Sequence, residues 1–225
     1  MKKLGKKNDW AAYLYILPLL LLSFVLVYYC IINTVMVSFT DWDGMSGTYN
    51  IIGFRNYAKM LTDQVFWKSV TNNIIFFVGT VFIQAGLGFL LAVLLKMKLP
   101  GSNLFKAIYF MPIAMATSII TAVFKIIMDP TNGALNQFLR AIHLDGLAMS
   151  WLGDPKIALF SVIVVNIFQW MGFSMITYYA GLMSLPEDVY EAAKIDGAGF
   201  WRTLVSVTFP MVKGTTNVLI VLGIV

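Results

Sequence analysis

An all-α, polytopic transmembrane helix bundle is the fold class this sequence predicts, and three observations predict it. The first is composition. Of 225 residues, 59% are hydrophobic and only 12% charged, where a soluble domain averages about 45–50% apolar and about 25% charged. Mean hydropathy is +0.79. The second is distribution, because the apolar residues collect in long stretches that contain almost no Asp, Glu, Lys or Arg. The third is the position of the basic residues, which concentrate between those stretches. An ordinary globule and a disordered chain are both excluded, the latter because disorder needs low hydrophobicity and high charge.

A hydrocarbon core about 30 Å thick takes about 20 apolar residues per helix. Residues 1–10 form a basic tail, and residues 11–225 read as a single transmembrane domain. The first span is placed over 11–40. Its apolar run is too long for a signal-peptide h-region and no small-residue cleavage site follows, so it reads as a retained anchor. The second span covers 69–95. The third covers 107–128, with Lys125 snorkelling to the interface, and the fourth covers 157–183. Residues 214–225 are apolar to the last position, yet twelve residues cover only about 18 Å at ~1.5 Å each. They are read as a partial fifth span, and the bundle as C-terminally incomplete.

Orientation follows from Lys and Arg. With the N-terminus in the cytoplasm, Lys2, Lys3, Lys6, Lys7, Lys96, Lys98, Lys106, Lys194, Arg202 and Lys213 lie inside. Arg55, Lys59, Lys68, Lys125, Arg140 and Lys156 lie outside, mostly in the longer loops. The net charge of +5 is thereby read as a topology signal, not as a nucleic-acid surface. Trp10, Trp42, Trp67 and Trp151 sit near predicted span ends, as interfacial aromatics do. A multi-pass protein of the cell membrane, N-terminus inside and in contact with lipid, is the expectation.

Two outer loops, 41–68 and 129–156, are long enough to carry structure. In the second, the turn signal Asp129-Pro130-Thr131-Asn132-Gly133 precedes Leu135, Phe138, Leu139 and Ile142 at helical spacing. That pattern predicts a short amphipathic interfacial helix, either a lid on neighbouring spans or a docking surface. One cysteine (Cys30) and one histidine (His143) allow no intrachain disulfide and no four-ligand zinc site of the usual kind. No catalytic or metal-ligating set is predicted.

The stretch after the fourth span, 184–213, is the most informative. Ser184 and Glu187 have capping-box spacing with Pro186 between them, which predicts a helix start. Glu187 and Asp188 suit its positive dipole end. Gly197-Ala198-Gly199 stops the helix. A second helix is expected from Phe200 to Val207, ending at Phe209-Pro210 because proline disfavours helical geometry in the preceding residue. Ala192 and Ala193 leave one face without bulk, which suits helix-in-groove docking. A compact loop packed on its own spans is the other reading, and Glu191 alone could equally be a solvated carboxylate.

The residues Glu191-Ala192-Ala193, Asp196-Gly197-Ala198 and Val207-Thr208-Phe209-Pro210 resemble the cytoplasmic loop of permease subunits of binding-protein-dependent ABC importers. Ile16-Leu17-Pro18, Ser38-Phe39-Thr40-Asp41-Trp42, Gly53-Phe54-Arg55-Asn56-Tyr57, Phe66-Trp67, Trp151-Leu152-Gly153-Asp154-Pro155 and Ala180-Gly181-Leu182 resemble the carbohydrate branch, the maltose- and glycerol-phosphate-type permeases. The likeness runs in order through nearly the whole chain. It departs at Phe209, where the family usually has leucine, and at Gly214, where a second proline is common; the family usually has six spans. The resemblance implies a fold of the ABC importer permease type. It also implies a subunit that imports a sugar, oligosaccharide or polyol derivative by alternating access, with Glu191, Ala192, Ala193, Asp196, Gly197, Ala198 and Pro210 in the ATPase-coupling loop. In that reading Glu191 anchors, Ala192 and Ala193 provide steric fit and Gly197 makes the turn. The implied partners are a second homologous permease, a cytoplasmic ATPase dimer carrying ATP and Mg, and an extracytoplasmic substrate-binding protein. This chain itself would bind no cofactor and hydrolyse no ATP.

Within the spans, Thr117, Ser118 and Thr121 share a face, as do Asn166, Gln169 and Trp170. Hydroxyls and amides beside an aromatic suit a neutral polyol, and they equally suit helix–helix packing. A proton-coupled transporter needs titratable groups at depth, and the four full spans contain no carboxylate and no histidine. Sodium coupling or a passive scaffold is compatible with the composition. No H-E-x-x-H or G-x-S-x-G hydrolase motif is present.

Overall fold

The computed structural model describes residues 9–97 and 100–224. The tail lysines Lys2, Lys3, Lys6 and Lys7, the side chain of Trp10, and Lys98 fall outside what it describes. Among the described residues the regular structure is helical, apart from one isolated antiparallel bridge, Thr40 to Ile51. Three continuous helices are long and apolar enough to cross a membrane: Tyr13–Ser38, Gln64–Lys96 and Ala158–Met183. Two sharply bent pairs add up to two further crossings. The chain divides into two compact units, Met1–Ser69 and Val70–Val225.

In the first unit, α1 (Asp9–Ser23) passes through a π-turn, closed by the Tyr29 N–H on the Phe24 carbonyl, into α2 (Tyr29–Ser38). Its large apolar side chains from Tyr13 to Met36 are exposed around the helix, as suits a helix whose solvent is hydrocarbon. The loop that follows is tied back onto the helix end. Asn56 Nδ2 donates to the Ser38 and Thr40 carbonyls at 2.9 and 2.8 Å. The Ser38 and Tyr57 hydroxyls share a hydrogen bond of 2.6 Å. Phe39, Phe54 and Tyr57 form an aromatic cluster with centroids 5.2–5.9 Å apart, which seats α3 (Arg55–Thr62).

In the second unit, α4 (Gln64–Lys96, entering at Val70) and α8 (Ala158–Met183) build the core. Ala85, Phe89 and Ala92 of α4 pack with Tyr178 and Leu182 of α8 and with Leu204, Val212 and Leu219. Without a hydrophobic drive between helices in lipid, close approach through small residues supplies the packing. At Gly88 an added Cβ would lie 2.6 Å from Ser174 Cβ. The approach of α5 (Ser102–Ala114) to α8 at Gly172 is tighter still: a Cβ there would fall 1.9 Å from the Tyr109 carbonyl oxygen.

Over 107–128, where one straight span was expected, the chain makes two helices, α5 and α6 (Thr117–Ile127), bent by 97°. Met115 and Ala116 adopt extended ψ angles of 144° and 135°, and the Ala116 carbonyl restarts the ladder by accepting the Ile119 and Ile120 amides. Hydropathy reports affinity for lipid and says nothing about axis direction, so the break left no mark in the apolar pattern. The short helix expected after Asp129 is α7 (Ala134–Ala141).

The loop 184–213 departs from expectation at both ends. Helix α9 (Glu187–Ile195) has Pro186 at its N-cap with no side-chain cap; the Ser184 hydroxyl instead donates back to the Gly181 carbonyl at 2.7 Å. Pro210 does not end the second helix. Helix α10 (Phe200–Thr203) runs through a π-turn at 204–208 into α11 (Phe209–Met211), and the bend of 62° comes only at Val212, before α12 (Lys213–Ile224). The π-turn lets the Phe209 amide reach the Leu204 carbonyl. This widening at the proline accommodates a residue that has no N–H to contribute to the ladder.

Candidate functional site

Helix α9 is oriented by its own charges, with Glu187 and Asp188 in the first turn and Lys194 in the last, each suited to the nearby dipole end. Its C-terminus closes in a Schellman motif. The Ala198 amide donates to the Ala193 carbonyl at 2.9 Å and the Gly197 amide to the Lys194 carbonyl at 3.0 Å. Gly197 stands at φ +71°, a left-handed conformation that glycine adopts without a Cβ penalty. The turn is therefore set by local hydrogen bonds.

The predicted loop residues divide by exposure. Glu191, Ala192, Asp196 and Gly197 are exposed and Ala198 is half-buried. Ala193 is buried against its own chain, so of the two alanines only Ala192 is presented outward. Pro210 lies exposed in α11. An apolar ridge flanks the turn that residue-type reasoning passed over: Ile195 is 85% exposed, Trp201 71% and Phe200 53%, the last two packed edge to face at 5.3 Å. The available signal was bulky apolar residues on both sides of a glycine turn in a polar loop.

The polar span residues also separate. Asn166 and Trp170 of α8 line a cavity of about 340 Å³ together with Thr80 and Gln84 of α4, Ser174 of α8, and Leu219 and Gly223 of α12. Gln84 Nε2 donates to Ser174 Oγ at 2.9 Å and the Thr80 hydroxyl to the Phe76 carbonyl at 2.7 Å. No lining residue is ionisable. Gln169 points elsewhere: it is buried and its Nε2 donates to Thr117 Oγ1 at 3.0 Å, tying α8 to α6. The Thr121 hydroxyl donates to the Thr117 carbonyl at 2.8 Å, and Thr117, Ser118 and Thr121 are exposed on α6. Amides, hydroxyls and an indole around an uncharged cavity can bind a neutral, hydrogen-bonding solute by directed bonds and ring stacking. Among the described residues no three His, Cys, Asp or Glu gather as a metal site.

The loops distant from these features are held by carboxylate and amide caps. Asp43 accepts the Ser46 and Met45 amides and the Ser46 hydroxyl, which hold its carboxyl down at about 2. The Asn132 and Thr131 amides lower that of Asp129. Asn136, on the polar side of α7, is nevertheless buried. Its Nδ2 donates to the Pro130 and Met149 carbonyls at 3.2 and 3.0 Å, and its Oδ1 accepts Trp151 Nε1–H at 2.8 Å.

Residues 84–225 match the family model described as the binding-protein-dependent transport system inner membrane component. A probable ABC transporter permease protein of Pyrococcus horikoshii is 35% identical over 93% of this chain and 72% of its own length. A lactose transport system permease protein of Rhizobium radiobacter is 33% identical over 95% of this chain and 70% of its own. In three dimensions a bacterial alginate ABC transporter, solved in complex with an alginate pentasaccharide-bound periplasmic protein, superposes with a TM-score of 0.82. It is 24% identical and the match covers 96% of this chain and 72% of that one.

Proposed function

Since the chain belongs to the binding-protein-dependent transport system inner membrane component family, as a multi-pass permease subunit and not an enzyme, we propose that it moves a neutral sugar or oligosaccharide inward by alternating access. The observation that carries the substrate class is the uncharged cavity lined by Thr80, Gln84, Asn166, Trp170 and Ser174. The lactose permease among its relatives supports the same class. The Gln84–Ser174 hydrogen bond ties α4 to α8, and a saccharide hydroxyl can exchange for it as the two helices part.

The force enters through α9 and its turn, on the cytoplasmic side of the cell membrane, where the N-terminus also lies. A partner ATPase dimer, which holds the ATP and Mg²⁺, grips the exposed Glu191–Ala192 surface and the Ile195–Trp201 ridge. The Schellman closure makes the helix–turn unit stiff enough to move as a body, so closing of the ATPase biases the spans toward the outward-facing state. A second, homologous permease completes the pathway. A loaded external binding protein favours the same state from the other side, and linkage makes that coupling reciprocal.

The test is reconstitution of the full-length subunit with its partners in vesicles, measuring ATP turnover and uptake with candidate saccharides and their binding protein. Gly197→Pro should leave the protein inserted yet abolish uptake and ATPase docking. Wild-type uptake by that variant would refute the coupling assignment, and uptake unaffected by Gln84→Leu would refute the cavity.

A further inference from the structure

Where α9 meets the end of α4 lies a second cavity of about 390 Å³, within the range of small-molecule pockets. Val93 of α4, Leu182 of α8, Phe200 of α10 and Leu204 of the π-turn contribute its apolar wall. Its polar lining is two lysines, one tyrosine and two threonines, and the Thr203 and Thr208 hydroxyls already donate to the Ala198 and Thr203 carbonyls at 3.4 and 3.2 Å. Lys96, Lys194 and Tyr190 all line the cavity, with no carboxylate among the lining residues. The Lys96 ammonium sits 3.7 Å from the Tyr190 ring centroid and donates to the Leu182 carbonyl at 3.3 Å. An ammonium carries three donors, so that carbonyl leaves donor capacity over. The Tyr190 hydroxyl is buried and has no hydrogen-bond partner among the described residues. A buried hydroxyl without a partner carries a desolvation cost that a bound acceptor relieves.

The geometry points to a binding site for an anionic phospholipid of the adjacent leaflet, its headgroup phosphate held by Lys96, Lys194 and the Tyr190 hydroxyl and an acyl chain laid along the apolar wall. Two cations and a free hydroxyl donor select for an anion, and the apolar wall selects for a chain attached to it. The position is where the last turn of α4 meets the loop 184–213, and basic pockets at such interfaces bind anionic headgroups. A lipid seated there touches α4, α8, α9 and α10 at once, and so sets how firmly the helix–turn unit is coupled to the spans. This last consequence rests on the coupling role proposed above; the binding itself does not.

The experiment therefore reads binding without transport. The full-length chain in its complex is placed in phosphatidylcholine nanodiscs with a trace of phosphatidylglycerol bearing a photoreactive acyl chain, and labelled residues are mapped by mass spectrometry. Label is expected at 93–97 and 200–208, displaced by unlabelled phosphatidylglycerol and not by added phosphatidylcholine. Tyr190→Phe with Lys194→Gln should lower labelling there roughly tenfold, while Lys156→Gln leaves it unchanged. Tyr190→Phe keeps the ring under Lys96, so packing survives the loss of the hydroxyl. Equal labelling by a phosphatidylcholine probe, labelling spread evenly over membrane-facing helices, or labelling indifferent to the double variant would each overturn the site. An idle importer with normal labelling would instead count against the coupling reading.

Discussion

Replacing Gly172 with alanine tests the close packing of α5 against α8. The new methyl would lie 1.9 Å from the Tyr109 oxygen, 2.7 Å from its carbonyl carbon and 3.0 Å from Phe110 Cα. All three belong to the backbone of α5, so no side chain can rotate away. Ordinary contact begins at 3.4 Å, and the difference from 1.9 Å means α5 must withdraw by ~1.5 Å or α8 must bow. Thr117, which opens α6 directly after the bend, accepts Gln169 Nε2–H at 3.0 Å, and a shift of that size breaks the bond. Overpacking costs about 1–3 kcal/mol and the lost buried hydrogen bond about 1 kcal/mol. The better helix propensity of alanine returns about 1 kcal/mol. The net loss is about 1–3 kcal/mol, a factor of roughly 5 to 150 in the folding equilibrium. SDS titration of the purified protein in mixed micelles measures it. Gly86→Ala is the internal control, because a Cβ there meets nothing within 4 Å; it should be neutral or slightly stabilising. If Gly172→Ala unfolds at the wild-type SDS fraction, the close approach of α5 to α8 is wrong.

Asn136→Ala leaves Trp151 Nε1–H and two carbonyls without their partner, and should cost about 2–4 kcal/mol; proteolysis after 129–156 reports it, and an unchanged cleavage rate argues against the network. Gly197→Ala meets no steric contact, so its effect is conformational. Holding a Cβ at φ +71° costs about 1–2 kcal/mol, and hydrogen exchange at the Gly197 and Ala198 amides should accelerate roughly 5- to 30-fold. Asp43 has a depressed folded pKa, so the stability its turn contributes is present in full above 3.8 and disappears as pH falls through about 2. Carboxyl carbon shifts should titrate near 2, and a midpoint near 3.8 would show the Met45 and Ser46 amides unbound.

What the sequence made legible follows from which interactions leave a one-dimensional trace. Uncharged runs announced Tyr13–Ser38 and Ala158–Met183 because the lipid acts on every residue of a span alike. The glycine at 197 announced its turn because only local geometry is involved. Asn136 shows the opposite case. The stripe Leu135, Phe138, Leu139 and Ile142 points to an interfacial helix, a lid or a docking surface, and nothing in it marks Asn136; Phe138 is 61% exposed, whereas Asn136 is buried. Its burial depends on an indole fifteen residues away, and a hydrophobicity scale cannot register a polar side chain whose three hydrogen bonds replace water.

The same limit explains how the polar face of α8 came apart. At about 100° per residue, Asn166 and Trp170 lie about 40° apart around the helix, while Gln169 lies about 100° from Trp170. A wheel drawn from the sequence groups all three on one side. Whether that side is one surface or two depends on the azimuth of the neighbours, and the helix periodicity contains no information about neighbours. Here α4 and α12 stand against the Asn166–Trp170 edge and frame a cavity, whereas α6, folded back by the 97° bend, takes the Gln169 edge and consumes its amide in a hydrogen bond to Thr117. The bend thus decides which polar groups of α8 face the cavity and which are consumed in helix packing. Thr117→Val removes the acceptor of that bond and leaves the buried Gln169 amide short of a partner, so it should cost about 1–3 kcal/mol in an SDS titration, and a wild-type midpoint would refute the assignment of the Gln169 edge to α6.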